Sequence, residues 1–153
     1  MTLLWLAASA ALAASKAHPR FSTNSGMCGA EPNCVSSLDP RQGRHMEPWR
    51  YEGTRAEAIA RLEKVLRHQL GVTVYAGGVD YLHAEFRSLV LRMINDVEFF
   101  LPIGEPVIHF RSSSRVGVWD FGRNRRRMTE LRERFAESAP PLTPKGFQFP
   151  APY

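Results

Sequence analysis

Apolar positions along this chain change period twice, and each change marks an element. Ile59, Leu62, Leu66 and Leu70 recur at the spacing of one helical face. Thr54-Arg55-Ala56-Glu57 precedes them as a T-x-x-E capping box, in which hydroxyl and carboxylate satisfy orphan amides reciprocally. Gly71 follows as a stop. Period two then takes over. Val72 to Ala76 predicts a strand and Gly77-Gly78 a turn. Tyr81 to Ser88 places Leu82, Ala84 and Phe86 on one face and Tyr81, His83, Glu85 and Arg87 on the other. Asp96 to Leu101 sets Asp96, Glu98 and Phe100 against Val97, Phe99 and Leu101. Val107 to Arg115 sets His109, Arg111, Ser113 and Arg115 against Ile108, Phe110, Ser112 and Ser114, with Pro102 to Pro106 as the connector between these two strands. Helical spacing returns with Met128, Leu131 and Phe135, and Asn124 is the residue type expected at the N-cap of that last helix.

Three adjacent strands with one apolar and one polar face suit an antiparallel sheet solvated on one side. The order helix, strands, helix predicts an α+β domain in which two helices cover the apolar face of that sheet. Residues 54–137 form this core and 18–53 an extended N-terminal segment. Residues 138–153, SAPPLTPKGFQFPAPY, carry five prolines and form an extended arm, since prolines neither continue a helix nor sit in a central strand. Phe147, Phe149 and Tyr153 suit that arm to packing along the domain or against a partner.

The first residues are expected to be processed. Leu3 to Ala14 is a mostly apolar, uncharged run too short to span a bilayer, which takes roughly 20 apolar residues. Ser15-Lys16-Ala17 offers a cleavage site after Ala17, and Ala11 and Ala13 frame another after Ala13, so residues 1–17 read as a signal peptide; an uncleaved anchor is the alternative. Cys28 and Cys34 agree with export: in an oxidising compartment a disulfide between them is the simplest reading. Metal binding is the competing one, with His45 as a third ligand, but Cys, Cys and one His fall short of a structural zinc site. The formal net charge is +5, from 20 Lys and Arg against 15 Asp and Glu. Arg111 to Arg134 contains eight arginines and three acids, so this one stretch accounts for the whole surplus. Such basicity superficially suits nucleic acid, but an exported protein seldom meets it and the aromatics form no stacking series, so nucleic acid is not an expected partner.

Two places offer chemistry. On the polar sheet face, Glu85, Asp96 and Glu98 come beside His83, His109, Arg111 and Arg115 if the strands pair in sequence order. That face is either a surface knitted by cross-strand ion pairs or an arginine-lined pocket for an anionic or polar ligand. At the start of the last helix, Arg123, Arg125, Arg126 and Arg127 crowd the end where the macrodipole is already positive. Asp120 as the nearest acid, Asp96 and Glu98 across the fold, or an external anion such as a phosphate or lipid headgroup is expected to compensate them. No P-loop, dinucleotide fingerprint, G-x-S-x-G elbow or H-E-x-x-H occurs, so no cofactor and no metal is expected.

PNCVSS (32–37), YLHAEFRS (81–88), NDVEFF (95–100), RSSSRVG (111–117) and DFGRNRRR (120–127) together resemble the signature of domain-of-unknown-function family 1499, from Cys28 to about Phe135. The resemblance implies a shared polar constellation at Asp96, Glu98, Arg111, Ser112, Ser114, Arg115, Asp120, Asn124 and Arg125. It also leads one to expect an acid where this chain has Asn95, which speaks against a metal role there. Proteins similar to it occur in bacteria and, with transit sequences, in photosynthetic eukaryotes. The short leader therefore points to the periplasm or cell envelope, or to the thylakoid lumen in the second case.

The expected function is that of a small exported accessory or ligand-binding protein, monomeric, with Arg111, Arg115 and Arg125 receiving an anionic small molecule or lipid headgroup. An envelope protein is a further candidate partner. The alternative is a hydrolase- or isomerase-like enzyme using His83, Glu85 or His109 on the same face.

Overall fold

The computed structural model describes residues 26–140 apart from 31, 89–92 and 118. The expected leader and residues 141–153 of the proline-rich arm lie outside the described residues. Elements follow in the order β1 (Cys34–Ser36), β2 (Trp49–Arg50), α1 (Arg55–Arg67), β3 (Val72–Ala76), β4 (Tyr81–Arg87), β5 (Ile94–Phe100), β6 (Val107–Ser114) and α2 (Arg123–Glu137). The fold is α+β: a six-stranded antiparallel sheet in the order β1-β6-β5-β4-β3, with both helices on its apolar face. β2 also pairs with β6, so the edge of β6 is shared: β1 takes residues 111–113 and β2 takes 107–108.

Helix α1 begins as its capping box dictates. The Glu57 amide donates to Thr54 Oγ1 at 3.2 Å and the Thr54 amide to Glu57 Oε2 at 2.7 Å. It ends sooner than the apolar spacing predicts. The His68 amide bonds back to the Leu66 and Lys64 carbonyls, and the chain turns away at Gly71 with φ +71°. Leu70, expected on the inward face, is therefore exposed, while Ala58, Leu62, Val65 and Leu66 face the core.

Period two sorts β4, β5 and β6 as read from the sequence. Leu82 and Ala84, Val97 and Phe99, and Ile108 and Phe110 point beneath α1 and α2, joined by Leu101 just past the end of β5. The core centres on Trp49, 1 % exposed, whose ring lies 5.5 Å from Phe99, 5.3 Å from Phe110 and 6.0 Å from Phe135. A two-residue strand thus carries the side chain that joins sheet to helix α2. The opposite sheet face is less solvated than a one-sided sheet predicts: Tyr81, His83 and Glu98 are all buried. Burial is tolerable there because the polar atoms satisfy one another, as described below.

The start of α2 departs from expectation. Its N-cap is Gly122, at φ +72°, and Asn124 lies inside the first turn, fully buried. Asp120 does the capping from two residues upstream: its carboxylate accepts the Gly122 amide at 3.0 Å and the Asn124 amide at 2.8 Å. This frees the Asn124 side chain for the interior.

Trp49→Ala is expected to cost about 3–5 kcal/mol, the range for emptying a packed aromatic site. Urea unfolding of the variant checks this; a change within experimental error would show that the sheet and α2 do not depend on the indole.

Candidate functional site

Register brings the residues of the polar sheet face into two rows. His83, Glu98 and Arg111 are cross-strand neighbours, as are Glu85, Asp96 and Ser113. Glu98, 2 % exposed, accepts the Tyr81 hydroxyl at 2.9 Å and Arg111 Nε at 2.7 Å. Asp96 accepts His83 Nε2 at 2.8 Å and a fork from Arg115, Nε at 2.7 Å and Nη2 at 2.8 Å. The same Arg115 guanidinium reaches Glu85 in a short contact. Tyr75 stacks on His83 with ring centroids 5.4 Å apart.

Burial alone would raise the pKa of Asp96, but the bonds from His83 and Arg115 outweigh it and hold the carboxyl well below the usual range. Bonding to Asp96 and Glu85 in turn raises that of Arg115. Burial raises that of the Tyr81 phenol, and the neighbouring Glu98 carboxylate adds to the shift. His83, Glu85 and Asp96 bring one ligand atom each within 4.8 Å of one another, a set that suits a divalent cation. Arg115 already donates to both carboxylates, so a cation would have to displace it. Both arginines proposed from the sequence as receptors on this face are thus engaged by carboxylates of the chain itself.

His109 stands apart. Its Nδ1 meets Ser37 Oγ at 3.1 Å, and that hydroxyl accepts the Phe110 amide at 3.0 Å. Burial lowers the His109 pKa, with Glu105 partly offsetting it. Ser37 is buried, and His109 Nε2 has no carboxylate within hydrogen-bonding distance among the described residues, so the orienting third member of a catalytic triad is missing there. Arg125 stands apart as well. Its Nη2 donates to the carbonyls of Gly43 and His45 at 3.0 and 3.1 Å, fastening the 43–45 loop to α2.

Ser112, Ser114 and Asn124 lie on the inner face, away from Arg111 and Arg115. Asn124 Nδ2 donates to the Asn33 carbonyl at 2.7 Å and to Ser114 Oγ at 3.1 Å, while its Oδ1 accepts Ser112 Oγ at 2.7 Å. Ser114 Oγ donates to Asn95 Oδ1 at 2.7 Å, and Asn95 Nδ2 donates to the Phe86 carbonyl at 3.3 Å. An acid at position 95 has no such donor, which gives the asparagine a physical reason in this chain. The polar positions of RSSSR thus serve two sites: the arginines face outward, and Ser112 and Ser114 hold the first turn of α2.

Arg127 completes the inner cluster; the sequence placed it among the four arginines at the positive end of the last helix without distinguishing it from the other three. Its Nη1 donates to Asn124 Oδ1 at 2.6 Å and Ser112 Oγ at 3.1 Å, and its guanidinium lies 5.0 Å from the centre of the Phe86 ring. Burial pushes its pKa down, and Asp120 and Glu130 at longer range only partly restore it. No carboxylate lies within 4.0 Å of it among the described residues. Two grooves, of about 590 and about 480 Å³, meet at Phe86, Arg123 and Arg127. Arg87, Met93 and Trp119 also line the smaller. The available signal was helical spacing: Arg127 follows Asn124 by three residues and so borders the inward stripe of Met128 and Leu131.

The Cys28–Cys34 disulfide expected from the sequence is present, with Cα atoms 5.7 Å apart. Beside it, Asp39 accepts the Cys28 amide at 3.1 Å and Arg41 Nε at 2.8 Å. The bond from Arg41 holds the Asp39 carboxyl well below the usual range against the opposing effect of burial.

A family model described as "Protein of unknown function (DUF1499)" matches residues 26–135, or 110 of the 153 residues. No curated protein and no solved structure matches the chain.

Asn124→Ala is expected to lower unfolding free energy by about 2–3 kcal/mol, since it removes the amide's bonds to the Asn33 carbonyl, Ser112, Ser114 and Arg127 and leaves the buried Ser112 proton without its acceptor. Urea denaturation measures this, and a loss below about 1 kcal/mol would show that the cluster is not what holds α2. A carboxylate with a depressed folded pKa contributes stability that is complete above its unfolded pKa of about 4 and drains away as pH falls toward the folded value. Asp39 and Asp96 are such groups, so their contribution should stay level from about pH 7 to 5 and be lost below about pH 4, whereas His109, whose folded pKa is lowered, adds a loss of melting temperature as pH falls below about 6.5. Asp96→Asn should lower the melting temperature near neutrality, and the difference should close as pH approaches about 2; an undiminished gap would mean the Asp96 bonds do not depend on its charge.

Proposed function

The chain belongs to the DUF1499 family of proteins of unknown function, and within it we propose that this protein is an accessory, ligand-binding protein that takes an anionic group in the groove at the start of α2. The observation that carries this reading is Arg127. A half-buried guanidinium, bonded to two neutral oxygens and backed by an aromatic ring, has Asp120 and Glu130 only at longer range and lacks a carboxylate in direct contact. Arg87 and Arg123 line the same groove, and neither has a carboxylate partner within 4.0 Å among the described residues. Asp120 also borders it, but its carboxylate oxygens accept the Gly122 and Asn124 amides. An external phosphate or carboxylate supplies what the chain does not, matched to the planar fork of arginine.

This moves the receptor away from Arg111 and Arg115, whose charges are met by Glu98, Asp96 and Glu85. The contrast defines the experiment. Inorganic phosphate should raise the melting temperature in a saturable way relative to chloride at equal ionic strength. Arg127→Gln should abolish that increment. Arg111→Gln should lower the starting melting temperature yet leave the increment intact. An equal increment in wild type and Arg127→Gln, or none in wild type, overturns the reading.

A further inference from the structure

Seven large apolar side chains are markedly exposed among the described residues, and three of them fall within six positions of one loop. Val116, Trp119 and Phe121, between β6 and α2, are 67, 69 and 80 % exposed. The other four, Met27, Leu70, Val79 and Ile103, are scattered singly, as surface apolar residues ordinarily are. Phe121 is held at φ +53°, the only non-glycine with positive φ among the described residues. A bulky aromatic in the left-handed region is an outlier whose side chain gains nothing from packing here, since it stands in solvent. This backbone belongs to the turn that brings the Asp120 carboxylate onto the Gly122 and Asn124 amides, and it leaves the ring in solvent.

The charge around this loop is predominantly positive, and its one acid, Asp120, is taken up by the Gly122 and Asn124 amides. Arg123 and Arg126 follow it directly on the exposed side of the first turn of α2 and carry no ion pair among the described residues. Trp119 borders the groove that ends at Arg123 and Arg127. We infer that this loop docks on an anionic phospholipid surface: Val116, Trp119 and Phe121 enter the interfacial zone while the neighbouring arginines and the groove meet lipid phosphates. Aromatic rings flanked by arginine are suited to that zone, where one side is apolar and the other wet and negatively charged. A protein partner fits less well. Three side chains at the tip of one loop bury far less than the roughly 1,200 Å² of a stable interface. No helix among the described residues is long and apolar enough to cross a membrane, and the contact inferred for the loop is a peripheral one. The identity of the anion rests on the groove reading above; the insertion of the loop stands on its own observations.

The test uses the full chain carrying Trp5→Phe, which leaves Trp49, in the core, and Trp119 as the only indoles. It is mixed with vesicles of phosphatidylcholine alone or of equal parts phosphatidylcholine and phosphatidylglycerol. The protein should sediment with the anionic vesicles only, and its tryptophan emission should shift to the blue. A Trp119→Ala, Phe121→Ala double variant and an Arg123→Gln, Arg126→Gln double variant change exposed side chains and should melt no lower than the wild type. Each should lower the bound fraction by about an order of magnitude. Equal binding to both vesicle types, or undiminished binding of the aromatic double variant, overturns the inference. So does a blue shift on concentrating the protein without vesicles, which would make the loop a contact between copies. A phosphate increment that needs Arg127, with no vesicle binding, removes the membrane and keeps the groove. Failure of both measurements removes both.

Discussion

The amide of Asn124 sits sealed from water where β6, the approach to β1 and the first turn of α2 converge, and much else follows from the bonds it makes. It reaches the Asn33 backbone, Ser112 and Ser114 with one side chain. Those bonds orient α2 so that Met128, Leu131 and Phe135 descend on the sheet and on Trp49. They also place Arg127 against Phe86, at the meeting of the two grooves. A neutral amide suits this position because it donates and accepts at once without the desolvation cost of a charge. The helix can spare Asn124 for the interior because Asp120 caps it from outside.

The two arginine sites differ in electrostatic bookkeeping, not in composition. On the outer sheet face the register sets Glu98 opposite Arg111, and Arg115 reaches across to Asp96 and Glu85, so these charges close on one another. At the start of α2 the arginines belong to one helix turn, and the sheet beneath offers hydroxyls, an amide and an aromatic ring. Ion pairs on a sheet face arise easily from strand pairing; a surplus at a positive helix end does not cancel by local geometry. The second site is therefore where the molecule has charge left to use.

What the sequence disclosed depended on the range of the interaction involved. The cap of α1 is contained in Thr54 to Glu57 and was legible outright. The faces of β4, β5 and β6 were legible because alternation needs no knowledge of partners, and pairing in sequence order then aligned Glu98 with Arg111 as anticipated. Leu70 misled because apolar spacing carries no information about where His68 and Gly71 turn the chain. Asn124 misled for a related reason: it is the right residue type for a cap, and only the fold shows that Asp120 takes that role. Nothing local could reveal that Arg127 would lie over Phe86, forty-one positions earlier (127 − 86 = 41), or that Trp49 on a two-residue strand would become the centre of the core.

The placement of β1 bears on how the chain reaches this state. β3 through β6 form a meander of neighbours, whereas Cys34 pairs with Ser113 across most of the domain. Closing so long a loop is entropically slower than zipping adjacent hairpins. By this entropic argument β1 is expected to join the sheet after the meander of β3 to β6 has formed. Its disulfide does not obstruct that order. Cys28 and Cys34 are six residues apart, so their bond can close within the segment while it waits, without tying it to a wrong strand.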